Sequence, residues 1–235
     1  MKYFKTFSQN KLSKEELDWC KKHIHKSVNW RIFNKGVISI ESDFLTIINA
    51  NEIPLTITFA SFGDRIETIK FINCKIKNSS GLKITKSFRG KKFILENSIV
   101  NLEDLIFDSD EVKLHRYPSS EIEGIKDVNY LEIKNFDGKI LKFPDVNVRD
   151  TLHLEKCPNL EKIENEDGVL NTIHLYDFPT LQIYSLMQNI VKDLVTRNIE
   201  IKNQTNNDDL DFEKIELEKH KLFSSSLDAK GYSFK

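Results

Sequence analysis

Apolar and polar residues alternate in short bursts along most of this chain, and the bursts recur. In "TLHLEKCPNL", Leu152 and Leu154 are followed by Cys157 and Leu160; in "TIHLYDFPTL", Ile173, Leu175, Phe178 and Leu181 repeat that order 21 positions on. Leu131, Ile133, Phe136 and Ile140 stand one such interval earlier. Upstream the order persists at looser spacing, as Val112, Leu114 and Tyr117, as Phe93, Leu95 and Ser98, and as Ile69, Phe71 and Cys74. Downstream, Leu194 lies 21 positions after Ile173 and extends the series. Strict alternation sends residues i and i+2 to one face of a strand, so Leu152 and Leu154 point inward while His153 and Glu155 point out. One such strand buries nothing alone. Stacked strands about 4.8 Å apart give a continuous apolar ladder, so a period near 20 with one short strand predicts a solenoid. Pro118, Pro158 and Pro179 each follow the third ladder residue, where a missing N–H ends the pairing and the chain turns.

The flanks follow other patterns. Ser13 with Glu16 forms a capping box ahead of Leu17, Cys20 and Ile24 at helical spacing, which predicts a helix placed to cover the open end of the stack. "GVISIESDFLTIINANEIPLTITFASF" alternates like strands and reads as an opening sheet or as degenerate first repeats. "NQTNNDD" reads as a polar linker, and "LDFEKIELEKHKLF", with Phe212, Ile215, Leu222 and Phe223, as a short amphipathic helix. The expected division is a helical cap over 1–36, a repeat solenoid over 37–202, and a linker, short helix and loose tail over 203–235.

"VLNTIHLYDFPTL" and "RDTLHLEKCPNL" resemble the leucine-rich repeat, L-x-x-L-x-L-x-x-N/C-x-L, with Leu170 at its first position and Cys157 at its Asn/Cys position. Two departures stand out. The last leucine comes one residue late, as in cysteine-containing variants. Cys74, Ser98, Tyr117, Phe136, Cys157 and Phe178 occupy the asparagine position, which predicts an irregular corner. The fold class expected is therefore β-rich α+β, an irregular leucine-rich-repeat-like solenoid of period about 19–24 with an N-terminal helical cap and a C-terminal helix. The amino-terminal half, with Trp19, Cys20, Ile24, Gly36, Ile38, Ile53 and Pro54, is similar to the opening of small leucine-repeat proteins of T-even-like tailed bacteriophages. Their "LTSLEG" signature is missing here. That resemblance implies a phage source more than an activity.

Composition adds limits. The chain has 235 residues, 39% hydrophobic and 30% charged, with Lys+Arg 35 against Asp+Glu 36. No global pull toward nucleic acid or anionic membrane follows from a net charge of -1. No signal-peptide pattern opens the chain, no apolar run is long enough to span a bilayer, and three widely spaced cysteines fit neither a disulfide framework nor a zinc motif. The expected location is cytoplasmic, the host cytoplasm for a phage protein.

The outward strand positions are where chemistry can sit. Lys113, His115, Glu132, Lys134, His153, Glu155, His174 and Tyr176 form the expected partner-binding stripe. His153 beside His174, with Glu132 and Glu155 near, raises a metal-dependent enzyme as a further alternative. Lys83, Lys86, Arg89, Lys91 and Lys92 form the basic run, an alternative nucleic-acid site or a solvated loop. Cys74 and Cys157 share a ladder position and read as buried and inert, as does Cys20. His23 and His25 read as surface residues, and "DSDE" at 108–111 and "ENED" at 164–167 as solvated turns. No nucleotide-cradle or nucleophile-elbow motif is present. The expectation is a non-catalytic recognition solenoid with no cofactor and no resident metal. Its partner would be a protein, a host factor to be inhibited or a virion component during assembly.

Overall fold

In the computed structural model, the described residues are 12–34, 37–61, 66–76, 92–100, 108–122, 127–143, 147–165, 169–178, 182–183, 186 and 195–202. The chain opens with helix α1 (Lys14–His23), followed by β1 (Trp30–Asn34), β2 (Val37–Ile40), β3 (Phe44–Ile48) and β4 (Thr58–Ser61). Then come β5 (Thr68–Ile72), β6 (Lys75–Ile76), β7 (Lys92–Glu96), β8 (Ile99–Val100), β9 (Asp108–His115) and β10 (Asp127–Lys134). The last elements are β11 (Ile140–Phe143), β12 (Asn147–Glu155), β13 (Lys162–Asn165), β14 (Val169–Tyr176) and β15 (Val195–Lys202).

The alternating bursts build one eight-stranded sheet, ordered β15-β14-β12-β10-β9-β7-β5-β3, in which every neighbouring pair is parallel. A chain that returns each time to lay a parallel strand beside the last is a β-solenoid. The register matches the expected ladder: Leu45 opposite Ile69, Ile69 opposite Phe93, Phe93 opposite Val112, then Leu131, Leu152 and Ile173. Each of these residues is buried, together with Ile47, Phe71, Leu95, Leu114, Ile133, Leu154 and Leu175 two positions on. Each such side chain contributes roughly 1.5–3 kcal/mol by leaving water. Across the core, β6 pairs with β8 and β11 with β13, again parallel, and set Ile76, Val100, Leu141 and Ile163 against the long sheet from the other side.

The ladder starts one strand earlier than "IETIKF", because Leu45 and Ile47 of β3 already occupy the inward positions. It also ends differently from expectation. Ile199, 26 positions after Ile173, takes the place expected for Leu194. The extra residues accommodate helical backbone at Gln182, Ile183 and Leu186. Ile183 and Leu186 are buried there, and the Gln182 amide donates to the Cys157 and Leu160 carbonyls at 2.8 and 2.7 Å. The C-terminal helix expected at 210–223 lies outside the described residues.

The corner after each long-sheet strand from β3 to β14 is regular, contrary to the expectation drawn from the missing asparagines. Asn49, Asn73, Asn97, Arg116, Asn135, Lys156 and Asp177 all adopt left-handed backbone, with φ between 46° and 59°. From Asn49 to Lys156, each donates its N–H to the carbonyl of the last strand residue one rung on, as in Asn73 to Glu96 at 2.9 Å. Asparagine tolerates this conformation better than other residues with a Cβ. The asparagine column therefore exists, one residue ahead of the position where the repeat resemblance looks for it. Asn73 donates its side-chain amide to Asn49, and Asn97 to Asn73, at 3.3 and 2.8 Å. The next residue turns inward, and Cys74, Ser98 and Cys157 point a donor at the carbonyl two residues back.

Helix α1 begins with the capping box read from the sequence: Ser13 Oγ accepts from the Glu16 N–H, and the Glu16 carboxylate from the Ser13 N–H. Beyond it, Ile24 bridges antiparallel to Ile47, and the His25 N–H donates to the Thr46 carbonyl on the free edge of β3. His23 is buried, which corrects its surface assignment. Its ring lies 5.1 Å from that of Trp19, and its Nδ1 stands 2.9 Å from the Ile48 carbonyl. That carbonyl belongs to the sheet edge and takes a partner from the helix. His25 stays partly exposed, with Nδ1 2.7 Å from Ser27 Oγ.

Candidate functional site: the outward face of the long sheet

The alternation that buries the ladder presents three outward columns. Pairing places Lys70, Ile94, Lys113, Glu132, His153 and His174 in one column, and Ile72, Glu96, His115, Lys134, Glu155 and Tyr176 in the next. All eight residues expected to bind a partner therefore share one face, four in each column. The third column, with Lys92, Glu111 and Tyr130, was missed in the sequence. Its signal is the same alternation carried one step further upstream. The expected turn at 108–111 is instead the first half of β9, where Glu111 pairs with Lys92 of β7 and with Lys113 of its own strand.

The charges on this face form a ladder of their own. Lys70 pairs with Glu96 at 2.7 Å, Lys92 with Glu111 at 3.0 Å, Lys113 with Glu132 at 3.0 Å, and Lys134 with Glu155. Each lysine reaches a glutamate on the following rung. The centre is the most tightly held point. Glu132 also takes His115 Nε2 at 2.6 Å, and its side chain is only 13% exposed. The hydrogen bond from His115, opposed by burial and reinforced by Lys113, drives its carboxyl down to about 2. Burial works against the Lys113 ammonium, yet Glu111 and Glu132 raise it well above the ordinary lysine value. Burial and the adjacent Glu132 charge push the Tyr130 phenol up to about 12.

Beyond Lys134–Glu155 this lysine–glutamate pattern gives way to rings. Tyr130, His153 and Tyr176 run diagonally across β10, β12 and β14, with centroid steps of 6.2 and 5.9 Å and tilts of 31° and 34°. His174 meets His153 edge-on at 6.0 Å. Burial depresses the His153 pKa below the ordinary histidine value, against the pull of Glu132 and Glu155. The result is an aromatic plate on the outward face of the sheet.

Other sequence candidates sort as follows. Glu132 and Glu155 are engaged by lysines, and among the described residues no three His, Cys, Asp or Glu side chains stand grouped as metal ligands. Within the basic run only Lys92 is described, and it is paired with Glu111; Lys83, Lys86, Arg89 and Lys91 lie outside the described residues. Glu164 sits in β13 with Lys162 and Lys142 beside it, not in a turn. Cys20, Cys74 and Cys157 are buried, and burial pushes their thiols up, Cys20 to about 12 and Cys157 to about 11. Thiols held that high do not supply a nucleophile at neutral pH.

No family model, curated protein or solved structure matches the chain. Among the described residues no helix is long and apolar enough to cross a membrane.

Proposed function

We propose that this solenoid is a non-catalytic recognition protein that binds another protein through the outward face of β9 to β14. The aromatic plate of Tyr130, His153, His174 and Tyr176 carries this reading. A few residues carry most of the binding energy at protein interfaces, and tyrosine is enriched among them. The charge ladder supports it in a second way. Side chains already pinned by a neighbour lose little further entropy on docking, and charges already neutralised leave few for a partner to read. Binding is thus carried by the rings and is largely insensitive to salt.

Within this reading the repeats are a divergent form of the leucine-rich repeat, and α1 serves as the cap of the β3 edge. The resemblance of the amino-terminal half to phage leucine-repeat proteins supports a phage accessory role in the host cytoplasm. The partner is then a host factor or a virion component. Affinity capture from bacterial lysate before and after phage infection tests this, with wild type beside a folded His153→Ala, Glu155→Lys, His174→Glu variant. A stoichiometric protein retained by wild type and lost by the variant is expected. Nucleic acid alone, released by salt, would instead favour the basic run.

A further inference from the structure

A cleft in the corner column shares no lining residue with the aromatic plate. It measures about 770 Å³ and opens where the turns after β9 and β10 stack, lined by Arg116, Tyr117, Ser119, Asn135, Phe136 and Asp137 among others. Pockets of this size take small molecules. Its floor is fixed: Tyr117 and Phe136 are buried, and the Phe136 ring lies so close over Gly138 that an added Cβ would clash with it.

Arg116 is the unusual residue. Its φ of 50° is one that asparagine adopts readily and arginine does not, and Asn97 and Asn135 flank it in the column. The other departures from asparagine, Lys156 and Asp177, pair with each other at 3.8 Å. Arg116 has no such partner. Among the described residues neither Arg116 nor the Asp137 carboxylate makes an ion pair or side-chain hydrogen bond, although both line this cleft. On the sheet face Lys70, Lys92, Lys113 and Lys134 each meet a carboxylate. Here one exposed cation and one exposed anion line the same cleft with the Ser119 hydroxyl, the Asn135 amide and the buried Tyr117 and Phe136. An arginine where the corner favours asparagine, beside a cleft that also holds a carboxylate and an apolar floor, points to a ligand.

We propose that this cleft binds a small zwitterion of the amino-acid class with an apolar side chain. The Arg116 guanidinium holds the carboxylate through paired N–H donors. Asp137 accepts from the ammonium, and the side chain lies on Tyr117 and Phe136. A phosphate dianion fits less well, because Asp137 in the cleft and Glu96, whose carboxyl feels the Arg116 charge, both oppose it.

The test is calorimetric titration of the full chain with L-leucine and L-phenylalanine, then with N-acetyl-L-phenylalanine, L-phenylalaninamide and adenosine monophosphate. Saturable binding of a free amino acid is expected, at least about tenfold weaker once either charged end is blocked. Arg116→Asn installs the residue the column uses elsewhere, so it keeps the fold while lowering affinity about tenfold. Asp137→Asn weakens the free amino acid but leaves the N-acetyl derivative unchanged. No saturable binding of either amino acid, equal binding of the blocked forms or the nucleotide, or full affinity in Arg116→Asn would each overturn the proposal.

Discussion

Rungs β5 to β10 and rungs β12 to β14 share one inner ladder and carry opposite outer surfaces. In the first group lysine meets glutamate rung after rung, from Lys70–Glu96 to Lys113–Glu132, and Lys134–Glu155 is the last such pair among the described side chains. In the second, His153, His174 and Tyr176 fill the same columns. The inner positions are equally buried in both, at Leu114 and at Leu154. Stability and recognition are thus assigned to opposite faces of the same strands, and the alternation of side chains keeps them separable.

The largest expected effect tests that shared interior. Leu114→Ala and Leu154→Ala each remove a fully buried side chain and should each cost roughly 2–5 kcal/mol in thermal or denaturant unfolding. A neutral result at either site would mean that the two groups of rungs do not share one ladder.

Acid should separate the two surfaces next. Glu132 has its carboxyl lowered from 4.5 to about 2 in the folded protein. Its contribution is fully present above the unfolded value and is lost as pH falls from about 4.5 toward 2. Up to about 3 kcal/mol of stability should vanish over that window. Glu132→Gln should flatten this part of the pH profile, read by unfolding midpoints at successive pH values. Glu96 and Glu111 are lowered in the same direction, so some acid sensitivity should survive in the variant.

Smaller still is an outlying rung of the charge ladder. Lys70→Ala breaks a pair about a third exposed and should cost less than about 1 kcal/mol, less again in high salt. A cost as large as that of a core leucine would make the ladder a source of stability rather than of order. At the corner, Lys156→Asn relieves left-handed strain and should raise stability by up to about 1 kcal/mol, offset by loss of the Asp177 pair.

Much of the architecture was legible in the sequence because burial and alternation are coupled. Leu131/Ile133, Leu152/Leu154 and Ile173/Leu175 can face one core only in the register observed. The last rung was not legible. Spacing alone favoured Leu194, whereas the helical backbone around Gln182 delays the return until Ile199. The corner was misread because the inward Cys74 and Cys157 drew attention from Asn73 and Lys156 just before them, where backbone conformation imposes the constraint. For the face, alternation placed all eight candidate residues together. It gave no sign that lysines would be matched rung by rung, since that depends on which turn lies beside which. Glu111 and Tyr130 were passed over because the alternation was not carried one step further upstream.

The most direct measurement uses the captured partner and two folded double variants, with affinity read at low salt and at about 0.5 M salt. His153→Ser with Tyr176→Ser removes the plate, and Lys92→Gln with Glu111→Gln removes one rung of charge. Expected is loss of binding in the first variant only, with little response to salt in the second or in wild type. Binding that survives without the rings, and falls with salt or with the lost charge pair, would contradict a recognition surface built on aromatic groups.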